Sequence, residues 1–154
     1  MRTVEAPTDE AFERFVAAAR PRLLRAFVGC RGPAAGDATA EALAYAWENW
    51  TRVAGMKNPV GYLFRVGQSR TRPPRPLHLP APADVGVPEV EPGLVSALLE
   101  LPETQRNAVW LVHACQWRYA EVAEAMDISL SMVGNHVSRG LRRLRTRLEG
   151  TNDA

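Results

Sequence analysis

Seven of the twelve prolines in this 154-residue chain fall between Pro73 and Pro92, in the run PPRPLHLPAPADVGVPEVEP. Proline lacks the amide donor that helices and sheet ladders require, so no regular element can pass through this stretch. It reads as a loosely structured, fairly extended linker over residues 73–93. The chain is therefore expected to fold as two short lobes, residues 1–72 and 94–154. The second is only large enough for a modest core.

Both lobes read as helical. No segment alternates apolar and polar residues between hairpin turn signals, and no internal repeat is present. The expected fold class is all-α: two small helical domains, the C-terminal one a four-helix unit. In the first lobe Thr8 can cap a helix whose inner stripe is Phe12, Phe15, Val16 and Ala19, continued by Leu23, Leu24 and Phe27 despite Pro21. The segment GCRGPAAGD reads as a turn, with Asp37 as the N-cap of a second helix running to about Trp50. Pro59 opens a third, PVGYLFRVGQSR, with Tyr62, Leu63 and Val66 inward. In the second lobe Leu94, Leu98 and Leu101 mark a short helix, and Pro102 starts another through Ala108, Val109, Leu111 and Val112.

The residues Tyr119 to Leu148 carry the most specific pattern. The apolar positions Val122, Ala123, Met126, Ile128, Val133, Val137, Leu141 and Leu144 change phase once, across Asp127-Ile128-Ser129. Two helices broken by so short a turn form a helix-turn-helix, whose second helix can lie in the major groove of DNA. Charge supports this locally. The net charge of +2 says little, but Arg139, Arg142, Arg143, Arg145 and Arg147 sit together with no acid among them. Residues 1–76 carry twelve basic residues against seven acidic ones, and 77–93 carry three acids and no base.

The motif order resembles one family. LPETQRNAVWLVHACQWRYAEVAEAMDISLSMVGNHVSRGLRRLR is similar to the C-terminal promoter-binding region of bacterial sigma factors of the extracytoplasmic-function group. The resemblance rests on Leu101, Pro102, Arg106, Tyr119, Ala120, Glu121, Ala123, Glu124, Ile128, Ser129, Val133, Arg139, Leu141, Leu144 and Arg145. In the first lobe, AGDATAEALAYAW resembles the family's polymerase-clamp helix at Asp37, Glu41 and Trp47, and NPVGYLFRVGQSR resembles the helix after it at Leu63, Arg65 and Val66. The chain departs from the family at Ala40, where a glutamine is usual, and at Ala38 and Thr39, where bulky apolar residues are usual, so that surface reads as thinned. Ser69 replaces an asparagine, Gly134 falls inside the recognition helix, and Asp127 stands for the glycine usual in the turn.

The resemblance implies a sigma factor that binds core RNA polymerase and reads promoter DNA, with the first lobe engaging polymerase and the −10 element and the second the −35 element. Groove and backbone contacts would come from Arg118, Ser131, Met132, Asn135, His136, Ser138, Arg139, Arg142 and Arg143. Asn135 suits adenine, Arg139 guanine or phosphate, and Met132 a thymine methyl; Arg142, Arg143, Arg145 and Arg147 suit phosphates. A solvated helix face is the competing account of these residues. A single-strand surface for the −10 region would comprise Lys57, Tyr62, Arg65, Ser69 and Arg70, with Trp47, Trp50 and Phe64 as stacking partners. For Trp47 and Tyr62, filling the three-helix core is the better reading. Asp37, Glu41 and Glu48 form an acidic edge for the polymerase.

Other classes fit poorly. There is no glycine-rich phosphate loop and no nucleophile–histidine pattern, so no enzyme is expected. Cys30 and Cys115 have no partners at metal-ligand spacing, so no metal or other cofactor is expected. No small-molecule substrate is indicated. No apolar run has membrane-span or signal-peptide length, which points to a cytoplasmic protein. An anti-sigma factor is a further candidate partner. Two alternatives stay open: a helix-turn-helix regulator that does not engage polymerase, and a sigma-like protein-interaction module.

Overall fold

Thr8 starts the first helix by accepting a hydrogen bond from the Ala11 amide on its Oγ1, at 3.2 Å. The computed structural model describes residues 8–71 and 93–152; the expected linker lies outside the described residues except for Gly93. Among the described residues, all regular structure is helical. Helix α1 (Asp9–Arg31) runs through Pro21, whose ring lies on the exposed side. The expected turn after Phe27 is shorter than the sequence implies. Helix α1 continues to Arg31, a single 3-10 turn covers Gly32–Ala34, and α2 (Ala35–Glu48) begins at once. Asp37 therefore sits in the first turn of α2 rather than at its N-cap, which is Ala34. There its charge complements the helix dipole instead of a specific amide. A short α3 (Trp50–Ala54) follows, and α4 (Pro59–Arg70) is capped by Asn58 Oδ1, which accepts from the Gly61 amide at 3.1 Å.

The first-lobe core is Leu23, Ala26, Phe27, Ala38, Ala42, Ala46, Val53, Leu63 and Phe64. Small residues let its helices approach. A Cβ at Gly67 on α4 would stand 2.2 Å from Phe27 and 2.9 Å from the Ala38 carbonyl oxygen. This explains Ala38 and Thr39. Both are buried, so their small size serves the packing of α2 against α4, and only Ala40 is exposed. The thinned surface expected from these three positions shrinks to one.

In the second lobe α5 (Leu94–Leu99) and α6 (Glu103–Val109) are followed by a π-helical turn, Trp110–Ala114. Gln116 then takes a left-handed conformation, φ 57°, and the Trp117 amide donates back to the Leu111 carbonyl at 2.9 Å. Helix α7 (Tyr119–Met126) and helix α8 (Leu130–Asn152) form the helix-turn-helix. Asp127 closes α7 at φ 55°, ψ 48°, the left-handed conformation that aspartate tolerates better than most residues. Val122, Ala125, Val133, Val137 and Leu144 are buried, as the phase change requires.

The two lobes lie against each other. The Trp110 indole from the second lobe donates to the Arg25 carbonyl of α1 at 2.9 Å. Its ring occupies the space that a side chain on Gly29 would take: a Cβ there would be 2.1 Å from the indole. Trp117 meets Phe64 edge-on, with centroids 5.6 Å apart. Arg31, only 4% exposed, donates to Glu103 Oε1 across the boundary at 3.0 Å. Within its own lobe it reaches the Gln68 carbonyl at 2.9 Å and Thr71 Oγ1 at 3.1 Å.

Candidate nucleic-acid interface

Two surfaces carry the residues that the sequence marks. The first is the start of α8. Ser129 precedes the helix, and its Oγ accepts from the Met132 amide at 3.2 Å, satisfying a donor that a helix start leaves free. With Val133 and Val137 turned inward, Ser131, Met132, Asn135, Ser138 and Arg139 are exposed along the outer side. Met132 is 45% exposed and Leu130 57%, a large apolar presence on a polar helix. His136 departs from the expected outward set. It is half-buried, and its Nδ1 is buried with no hydrogen-bond partner among the described residues. It fits the flank of this face better than its centre.

One turn further on, Arg142, Arg143 and Arg145 are exposed and make no ion pair among the described residues. Arg147 pairs with Glu100 of α5. Arg118 stands at the N-cap of α7 and donates from its backbone amide and Nε to Glu121 Oε1, at 3.2 and 3.1 Å. Burial pushes the Glu121 carboxyl up, but the hydrogen bonds and charge from Arg118, with the Arg22 guanidinium, outweigh it and hold the group below its ordinary value. Tyr119, which could have been core, is 41% exposed.

The second surface lies on lobe 1. Tyr62 is half-buried; its hydroxyl lies 3.1 Å from that of Tyr45, and Arg52 donates to it at 3.2 Å. Arg52 also sits over the Tyr62 ring at 5.4 Å, and Arg70 over the Tyr45 ring at 5.3 Å. Cation, ring, ring and cation thus alternate across α3, α2 and α4. The Tyr62 hydroxyl, with burial, raises the Tyr45 pKa, so this phenol stays protonated. Tyr45 and Arg52 were not singled out from sequence; only the fold brings their helices together. Lys57 and Ser69 are exposed, the latter bonded to the Val66 carbonyl. Arg65 is occupied, pairing with Asp127 of the second lobe at 3.6 Å.

The aromatic stacking partners divide. Phe64 is 1% exposed and stacks on Phe27 at 5.1 Å, so it is core and cannot meet a base. Trp47 is 55% exposed and is not core; it rests edge-on against Phe12 at 4.9 Å. Trp50 is half-buried between Phe12 and Phe15. Asp37, Glu41 and Glu48 are all exposed on α2, spaced to share one side, and Glu41 pairs with Arg70 at 3.5 Å. Neither surface holds a metal-ligand cluster, and no group of His, Cys, Asp and Glu among the described residues could form one. No helix among them is long and apolar enough to cross a membrane.

The second half of this all-α chain presents a capped, basic-ended helix-turn-helix. Residues 93–144 match the family described as Sigma-70, region 4. The chain has the fold of sigma factor RpoE from Bartonella quintana, solved in complex with the anti-sigma factor NepR, at 19% identity and TM-score 0.72 over 91% of this chain and 98% of that one. It also has the fold of CnrH, solved in complex with the cytosolic domain of CnrY, at 20% identity and TM-score 0.62 over 93% and 90%. No curated protein matches the sequence. The family match is thus confined to the second lobe, and the chain as a whole has the fold of these two solved proteins.

Proposed function

We propose that this chain is a sigma factor that binds core RNA polymerase and directs promoter-specific initiation, performing no chemistry itself. The observation that carries the reading is the outer side of the start of α8, Ser131 to Arg139, capped by Ser129 and followed by Arg142, Arg143 and Arg145, which make no ion pair among the described residues, inside the segment that matches sigma-70 region 4. In this reading α8 reads a −35 element. Asn135 and Arg139 reach base edges, Met132 offers an apolar contact, and Arg118, Ser131, Ser138, Arg142 and Arg143 hold the backbone, with His136 at the flank. Lobe 1 meets the −10 strand with Lys57, Tyr62, Arg65, Ser69 and Arg70, extended by Tyr45 and Arg52. Asp37, Glu41 and Glu48 face polymerase. An anti-sigma factor is the proposed regulator, and the cytoplasm the proposed location.

Burial of Ala38 and Thr39 removes most of the reason to prefer a regulator without polymerase contact. The test is a pull-down with core polymerase followed by run-off transcription from genomic promoter fragments. Retention on core and a defined transcript are expected; failure to bind core at low salt would end the sigma-factor reading. Arg139→Ala with Arg143→Ala should weaken duplex binding of the holoenzyme and flatten its salt dependence by about one to two counterions.

A further inference from the structure

Water-facing apolar side chains cluster at one place in this molecule. Four large hydrophobic side chains are exposed among the described residues, and three of them, Tyr119, Leu130 and Met132, surround the start of α8. Leu130 and Met132 belong to its first turn. Tyr119 reaches it from α7, with Cε2 3.9 Å from where a Cβ on Gly134 would stand. Gly134 follows Leu130 by one turn on the same flank, so the space over position 134 stays open, bordered by the Tyr119 ring. Met132 is two residues from Leu130 and so lies on roughly the opposite flank. Between the flanks runs a ridge of small hydrogen-bonding side chains, Ser131, Asn135 and Ser138, all exposed. The core uses none of these groups, because α8 is seated through Val133, Val137 and Leu144.

The surrounding charge selects the partner. From Ile128 to Leu148 the chain holds five arginines and no acid, a surface that suits a polyanion. The apolar group that duplex DNA offers in its major groove is the thymine C5 methyl.

We propose that the start of α8 reads thymine methyl groups from two sides, Met132 on one flank and Leu130 with the Tyr119-bordered space on the other, so that the base pairs facing this turn must be A·T. The proposal rests on the reading of α8 as the −35 helix. Asn135, on the ridge between the flanks, can pair with the adenine N6 and N7 of such base pairs. A G·C pair offers no methyl, and hydrocarbon set against its cytosine amino group leaves that donor without a partner.

Uracil isolates the methyl, because it keeps every hydrogen-bonding group of thymine. Holoenzyme assembled from the full chain and core polymerase would select duplexes from a randomised pool, and the enriched duplex would be remade with uracil at each thymine in turn. Enrichment of A·T pairs is expected, with affinity lower by about fourfold at each of two positions. Met132→Ala and Leu130→Ala change exposed side chains and leave the core intact. Each should weaken binding of the thymine duplex and abolish the uracil effect at one position only, a coupling that a general defect of the helix would not produce. An enriched duplex that binds equally well with uracil throughout would overturn the proposal and leave the −35 reading standing. So would variants that weaken thymine and uracil duplexes by the same factor. Failure of the holoenzyme to assemble, or to enrich any duplex once assembled, would end the −35 reading and the proposal with it.

Discussion

At the scale of single residues, the informative side chains are those whose setting contradicts their type. Arg31 is a charged residue in a nearly dry site, held by Glu103, the Gln68 carbonyl, the Cys30 carbonyl and Thr71. Nothing in its surroundings in sequence, VGCRGPA, marks it, because its partners come from residues far along the chain. Arg31→Met should lower the unfolding free energy by about 2–4 kcal/mol in urea titration, since it strands buried acceptors. Cys30, which is buried, and Cys115, which is half-buried, behave oppositely, as apolar side chains. Burial pushes the Cys30 thiol far up and the Cys115 thiol from 9.0 up to about 12. Both states are protonated below the unfolded value, so neither thiol alters stability there. Above about pH 9 the unfolded chain releases protons that the folded chain keeps, so stability should fall from pH 9 towards 12. Chemical denaturation across that range should show a shallower decline in Cys115→Ala than in wild type. Iodoacetamide should label both cysteines slowly until denaturant is added.

At the scale of elements, helix type and phase were legible, and boundaries and neighbours were not. The α7–α8 pair follows directly from the phase change at Asp127, and Asp127 takes the left-handed conformation that this reading requires. Asp37 was misplaced as a cap because the 3-10 turn at Gly32–Ala34 lets α2 start at Ala35. Trp47 and Phe64 were assigned the wrong way round. A helix end and a helix centre look alike in composition, and only packing against Phe27 and Trp117 buries the second. Gly134 is a different case. The nearest atom a Cβ there would meet is Tyr119 Cε2 at 3.9 Å, so no close approach demands glycine. Gly134→Ala should therefore stabilise α8 by up to about 1 kcal/mol, seen as a melting temperature higher by roughly 2–4 °C. By contrast, Gly67→Ala must displace Phe27 or the α2 backbone and should lower it.

For the whole molecule, the proline run leads to an expectation of two lobes, and composition gives no hint that the halves associate. The residues that join them, Arg22, Arg25, Gly29, Arg31 and Phe64 on one side and Glu103, Trp110, Trp117 and Asp127 on the other, belong to patterns that each lobe explains alone. Inter-lobe packing is a property of surfaces, and periodicity reports only which side of a helix is apolar. The exposure of the α8 residues is readable from sequence, except at His136, because a single helix presents them. The lobe 1 surface was half readable because Tyr45, Arg52, Tyr62 and Arg70 come from three helices. Trp110 and Trp117 offer an optical readout of the boundary between the lobes. Their emission should shift to longer wavelength when Gly29→Ala displaces the Trp110 ring, in a background where Trp47 and Trp50 are replaced by phenylalanine.

The seating of Trp110 on Gly29 also constrains how such a chain can change over generations. A side chain gained at position 29 is tolerable only alongside a smaller residue at 110, and a lost indole leaves a gap that a bare helix surface cannot fill. The two positions lie in different domains and more than eighty residues apart. In an alignment of chains that share this closed form they should covary, while in chains whose lobes stay separate each should drift on its own.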